Sequence, residues 1–153
     1  MRVNFSDRYR FSDWPNDRIP QVAAGVYAIW HADKLIYCGM SGRGIERAVA
    51  EKKKKYGLIT RLGSHASGRL SGDQFCVYVA NRLVIPTLSE DDLPKFSSGE
   101  LRLDTLTKKF IHDRLDYQFV VTGSSRDAFE MEKSARRGNV FNMKPLLNPL
   151  KSV

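Results

Sequence analysis

The sequence predicts a mixed α/β (α+β) domain in which a small, largely antiparallel sheet is flanked by helices. Three observations predict it. An alternating apolar stretch folds back on itself between Gly25 and Gly39, apolar residues recur at helical spacing between Leu103 and Leu115, and a strand-like run at 117–122 is followed at once by a helix start. The resulting order, hairpin, helices, strand, helix, strand, helix, suits a layered domain.

The elements follow in chain order. Residues 1–20 form an arm rich in arginine and aspartate, bounded by Pro15 and Pro20, that is expected to pack across a single domain at 21–153. In "GVYAIWHADKLIYCG", from Gly25 to Gly39, Val26, Ala28 and Trp30 face one side of a strand and Tyr27, Ile29 and His31 the other. The polar stretch His31 to Lys34 turns the chain, and Leu35 to Cys38 returns. Gly-Val-Tyr opens this hairpin and Tyr-Cys-Gly closes it; for Tyr27 and Tyr37 to line one cleft, the hairpin needs an odd loop or a bulge. "GIERAVAEKKKK", Gly44 to Lys55, predicts a helix with a cationic outer face, and "YGLITRLGSHAS" a second one. "DQFCVYVANRLVIP" reads as a buried strand ending near Pro86, and "TLSEDDLPKFSSG" as a surface loop. Leu103, Leu106, Phe110, Ile111 and Leu115 mark the next helix, and "YQFVVT" a strand. Ser124, with Asp127 three residues on, opens a last helix that runs to about Arg137 and stops at Gly138.

At 153 residues the chain is of single-domain length. Lysine and arginine total 25 against 17 acidic residues, and the net charge of +8 suggests a polyanionic partner, most simply nucleic acid. Cys38 and Cys76 sit in apolar runs without Cys-x-x-Cys spacing, so they read as buried free thiols in a reducing compartment rather than zinc ligands or a disulfide. The first twenty residues contain no apolar leader core, and no run approaches the ~18 residues of a membrane span, which argues for a cytoplasmic protein without a membrane partner. There is no coiled-coil heptad or separate dimerisation helix, so a monomer is favoured.

Three features stand out chemically. In the helix at 125–137, Ala128, Met131 and Ala135 share an apolar face; Glu132 lies within that stripe and Glu130 opposite it. A carboxylate so placed must be paired, hydrogen-bonded or bound to a cation, and an arginine partner or a metal ion each satisfies it. Arg61 and His65 are four residues apart, hence neighbours on a helix, along the border of the stripe made by Leu58, Leu62 and Ala66, where they point into a cleft or form an ordinary surface pair. Asn148, in "KPLLNP", is flanked by prolines that hold the backbone extended; a turn asparagine is the ordinary reading. His31 and His112 have no comparable partner by spacing and are read as structural.

Together these pieces resemble one family, the GIY-YIG nucleases, which include homing endonucleases, an incision domain of excision repair and some restriction endonucleases. The match runs from Gly25 to Asn148: Gly25-Val26-Tyr27, nine residues, Tyr37-Cys38-Gly39; then Arg61 and His65; Ala128 to Glu132 as Ala-x-x-x-Glu; and Lys144 to Asn148 as Lys-Pro-x-x-Asn. Val26 and Cys38 replace the two isoleucines of the family name. The 24-position step from Tyr37 to Arg61 is long and closer to the restriction-enzyme branch, which makes Arg47 a rival arginine, although Glu51 rather than histidine follows it by four. The segment 74–115, read as an added strand and helix, exceeds the minimal domain. The resemblance implies a metal-dependent endonuclease acting on DNA. Tyr27 would be the general base, its pKa lowered by the metal or a nearby cation, with His65 taking its proton; Tyr37 would position water. Arg61 would bind the phosphate, Glu132 a single Mg²⁺ or Mn²⁺ ion, and Asn148 the phosphate or Glu132. Arg43, Lys52, Lys53, Lys54, Lys55 and Arg69 are candidate backbone contacts, a solvated lysine face being the equal alternative, and the acidic loop Glu90 to Asp92 is expected away from the cleft. The alternative is a catalytically inactive, basic nucleic-acid-binding module.

Overall fold

The structure, a computed structural model, describes residues 3–151; residues 1–2 of the arm and 152–153 of the domain lie outside the described residues. Its main sheet has four antiparallel strands: β1 (Tyr9–Arg10), β3 (Gly25–His31), β4 (Lys34–Ser41) and β6 (Leu115–Val121), in the order β1-β6-β3-β4. A separate parallel pair joins β2 (Val22–Ala23) to β5 (Tyr56–Gly57). Helices are α1 (Ile45–Ala50), α2 (Leu58–Ser67), α3 (Gln74–Val79), α4 (Leu93–Ser97), α5 (Leu103–Arg114) and α6 (Ser125–Arg136). None of the described helices is long and apolar enough to cross a membrane.

Alternation along β3 sorts its side chains into two layers. Tyr27 and Ile29 join Tyr117 and Phe119 in the larger core, which α2, α3 and α5 cover through Leu58, Leu62, Phe75, Val79 and Ile111. Val26, Ala28 and Trp30 lie on the opposite face with Cys38, Met40, Ala128 and Ala135, under α6. The arm belongs to the fold: β1 pairs with β6, and Phe11 is fully buried against Tyr117.

The hairpin turns through two residues, Ala32 and Asp33, and a bulge opposite Ile29 and Trp30 adds one residue to β4. The bulge sets the direction of Tyr37. Leu35 packs under α6, Ile36 and Tyr37 both pack on the helix-rich face, and Cys38 returns to α6. Without the extra residue, Tyr37 would point to the other layer. Ile29 pairs with Tyr37 and Gly39 with Tyr27, so the two tyrosines share a face diagonally rather than directly opposite, with ring centroids 6.2 Å apart.

Three expectations from the sequence change. The predicted strand at 74–86 is α3, followed by a wide helical turn at Ala80–Val84 and a tight one at Ile85–Thr87. Its buried residues, Phe75, Cys76, Val79, Ala80 and Val84, follow helical spacing, and Asp73 caps the start by accepting from the Cys76 N–H at 2.9 Å. In a continuous apolar run that spacing is masked by the apolar residues between. The segment read as a loop at 87–99 contains a tight turn at Glu90–Asp92, capped reciprocally with Ser89, and then α4. Finally, α1 ends at Ala50 instead of Lys55: residues 51–55 have nothing apolar to bury, and continuing the helix would stack like charges.

Candidate active site

A cleft of about 390 Å³ opens at the β4 edge of the sheet, lined by Tyr27, Tyr37, Arg61, Gln74, Tyr78, Glu132, Arg136 and Asn148, among others. Both layers contribute. β3 and β4 supply the tyrosines, α2 supplies Arg61, α3 supplies Gln74 and Tyr78 one turn apart, and α6 supplies Glu132 and Arg136 from the opposite side of the sheet.

Gly39 explains the second half of the hairpin motif. A Cβ there would stand 2.3 Å from the Tyr27 hydroxyl, so the absence of a side chain is what lets the Tyr27 ring lie across β4. At the foot of α2, Gly57 has φ +103°, and a Cβ would meet the Ala23 carbonyl oxygen at 1.9 Å. Only glycine lets β5 run into α2 beside β2. That helix then presents His65 to the core and Arg61, one turn earlier, to the cleft.

The buried Tyr27 hydroxyl lies 2.7 Å from His65 Nε2. On the other side of the ring, His65 Nδ1 lies 2.7 Å from Asp73 Oδ2, which also accepts from Ser64 Oγ at 2.6 Å. Burial pushes the Tyr27 phenol well above its ordinary value, Tyr37 adds to the rise, and Arg61 pulls it back. The lowered tyrosine expected of a base is therefore not found in the protein alone. Tyr37 is pushed up to about 12, mainly by burial with Asp73 and Glu132 adding to it, and stays a phenol. Burial also lowers His65 and so keeps the imidazole neutral at pH 7.

Glu132 and Arg136 form an ion pair at 2.9 Å, with the carboxylate side chain only 14% exposed, whereas Glu130 is exposed. The ion pair occupies Oε1; among the described residues Oε2 has no hydrogen-bond partner. Asn148 is committed to the backbone. It accepts from the Cys38 N–H at 3.1 Å and donates to the Cys38 carbonyl at 2.6 Å, while its own carbonyl accepts from Arg136 Nε at 2.8 Å. Leu146 and Leu147 donate to the carbonyls of Leu35 and Ile36, so this irregular stretch is tied along the free edge of β4.

The remaining basic residues are dispersed. Arg43 lines the cleft and a neighbouring groove of about 250 Å³ that also contains Arg61, Thr60 and Ser64. Lys52, Lys53, Lys54 and Lys55 are exposed between α1 and β5, with Lys53 Nζ 5.2 Å from the Tyr56 ring centre. Arg69 is exposed just past the end of α2 and does not line the cleft. Arg47, 84% exposed, is paired with Glu51 at 2.7 Å and lies outside both the cleft and its neighbouring groove. Cys38 and Cys76 are free and buried, and burial chiefly raises the Cys38 thiol to about 12. His112 bonds the Ala66 carbonyl at 2.7 Å, and His31 packs on Phe110.

Asp73, Gln74 and Tyr78 escaped the sequence reading because all three depend on α3 being a helix. An aspartate at the head of an apolar run, here Asp73 two residues before Phe75, is an N-cap signal and the one clue the sequence offers. No family profile, curated protein or solved structure matches the chain.

Proposed function

We propose that this chain is a metal-dependent endonuclease that hydrolyses phosphodiester bonds in DNA. The observation that carries this reading is the meeting of Tyr27, Tyr37, Arg61 and Glu132 in one cleft, with His65 hydrogen-bonded behind Tyr27. The sequence resemblance to GIY-YIG nucleases and the net charge of +8 support the same reading.

The donor set fits a hard, hydrated cation. No cluster of three or more His, Cys, Asp or Glu residues occurs among the described residues, which disfavours a caged ion, but Mg²⁺ retains waters and is commonly held by one or two carboxylates. Glu132 would hold it through Oε2. When bound, the ion supplies Lewis-acid stabilisation of charge on the phosphate and leaving oxygen.

The protein's own groups divide the remaining work. Tyr27 cannot shed its proton to water at neutral pH, because burial disfavours the phenolate. Its hydroxyl instead passes its proton to His65 Nε2 while taking one from the attacking water, so the water oxygen bonds phosphorus and the proton ends on the imidazole. The P–O3′ bond breaks, and the departing oxygen is protonated from solvent. Arg61, with no ion-pair partner among the described residues, is free to engage the nonbridging oxygens with its planar fork. Tyr37 remains a donor that can orient the water. Asn148 acts indirectly, by holding β4 beneath the cleft.

Incubation of the purified chain with supercoiled plasmid, branched DNA and RNA, with Mg²⁺, Mn²⁺ or chelator, tests this reading. A single site cuts one strand at a time, so the expected first product is metal-dependent nicked circle, absent in Tyr27→Phe. Metal-independent cleavage, or Tyr27→Phe cutting at the wild-type rate, refutes it. Binding without cleavage would favour the inactive module.

A further inference from the structure

Asp73 is almost fully buried, and each of its carboxylate oxygens is assigned. Oδ1 accepts from the Cys76 N–H at 2.9 Å, while Oδ2 faces His65 Nδ1 at 2.7 Å and the Ser64 hydroxyl at 2.6 Å. Burial by itself would raise this carboxyl, but the hydrogen bonds from His65, Ser64 and the Cys76 amide outweigh it and hold the group well below the usual carboxylate range. An ionised carboxylate only accepts. The proton on His65 must therefore sit on Nδ1, and in a neutral ring Nε2 is then bare and turned to Tyr27.

We propose that Asp73 is a positioning residue that fixes His65 as the Nδ1–H tautomer, so that Nε2 is the proton acceptor for the Tyr27 hydroxyl. The use of that acceptor in phosphodiester hydrolysis rests on the function proposed above; the tautomer itself does not.

The surroundings leave this the one consistent arrangement. Tyr27 on β3 meets Nε2, Tyr37 on β4 meets the ring edge-on at 5.9 Å, and Phe75 on α3 packs against it at 4.6 Å. Arg61 on α2 disfavours a proton on the ring, the Cys76 thiol bonds the His65 carbonyl rather than the imidazole, and Glu132 on α6 acts on the tyrosines rather than on His65. Among the described residues, Asp73 alone approaches Nδ1. The same carboxylate caps α3, so ring orientation and cleft wall are set by a single side chain.

Asp73→Asn separates the two duties, because asparagine caps helices about as well as aspartate. Its single oxygen is needed by the Cys76 N–H, which leaves an NH₂ facing Nδ1. The amide would donate to Nδ1 and push the ring proton to Nε2, where it blocks acceptance from Tyr27. Long-range ¹H–¹⁵N spectra of the histidine rings report the tautomer directly in the full chain. The wild type is expected to show His65 with a proton on Nδ1 and a bare Nε2, and Asp73→Asn the reverse. Plasmid nicking by that variant should fall on the order of 10²-fold or more through kcat, with KM nearly unchanged.

A wild-type spectrum with the proton on Nε2, or with both nitrogens protonated at pH 7, overturns the proposal whatever the variant does. So does a flipped tautomer that leaves the nicking rate intact. Should the wild type show the expected tautomer but cut nothing, the hydrolase reading fails and the placement of the His65 proton by Asp73 stands.

Discussion

Gly39→Ala is the sharpest test of how the hairpin builds the cleft. The new methyl would lie 2.3 Å from the Tyr27 hydroxyl oxygen and 2.5 Å from the ring carbon bearing it, whereas ordinary contact begins near 3.4 Å. The ring is buried between Tyr37 and His65 and must shift by roughly 1 Å, enough to break or compress a hydrogen bond at its optimum length. The starting separation is 2.7 Å. Overpacking and a stranded buried hydroxyl together should cost on the order of 2–4 kcal/mol. For a chain of this size that lowers Tm by about 5–15 °C. If Tyr27 relays the proton, a misplacement of that size should cost about 10²-fold in rate. The assay pairs thermal melting with plasmid nicking, using Gly123→Ala as control. At Gly123 the nearest atom to a new Cβ is Asp127 Oδ2 at 3.8 Å, an ordinary contact. A Gly39→Ala protein with wild-type Tm and wild-type nicking would show that Tyr27 does not need the space over β4.

Glu132→Gln should abolish metal-dependent cleavage and leave DNA binding nearly intact in a gel-shift assay, while Glu130→Gln should change neither; equal losses would mean that helix face is irrelevant. Arg61→Ala should lower the cleavage rate on the order of 10²-fold or more, with Arg61→Lys rescuing poorly, whereas Arg47→Ala should alter binding only slightly. The reverse pattern would move the phosphate contact to α1. His65 is held neutral by burial, so its folded pKa lies below its unfolded one; its contribution to stability is present above about pH 6.5 and is lost as pH falls through that value and onward to the folded pKa. A Tm series from pH 8 to 5 should therefore decline more steeply in the wild type than in His65→Gln, and parallel curves would refute the buried neutral imidazole.

The legible parts of this fold were those that write their geometry as a period. The two faces of β3, the apolar stripe of α2 with Arg61 on its border, and the contrast between Glu132 and Glu130 all follow from spacing and recur in the structure, whereas His65, expected on that border, is buried in the core because its ring is paired on both nitrogens. Other parts carry no period. β2 and β5 are two residues each, too short to alternate, and their pairing is visible only through the close approach at Gly57. The single extra residue in β4 cannot be located from sequence, although it decides the layer to which Tyr37 belongs. In α3, consecutive apolar residues hid the helix, and with it Asp73, Gln74 and Tyr78.

The irregular segment at 146–148 that covers the β4 edge bears on how the chain reaches its native state. It meets β4 across 110 positions of sequence, so loop-closure entropy makes this a contact expected to form late. Until it forms, Leu35 to Cys38 present an open run of backbone donors and acceptors beside apolar side chains, the arrangement on which a second chain can add as a strand. The last segment to dock therefore does two things at once: it removes a template for aggregation and completes the floor of the cleft. Refolding yield should accordingly depend on protein concentration far more than native stability does, and Asn148→Ala, which removes both side-chain bonds to Cys38, should steepen that dependence while also lowering Tm.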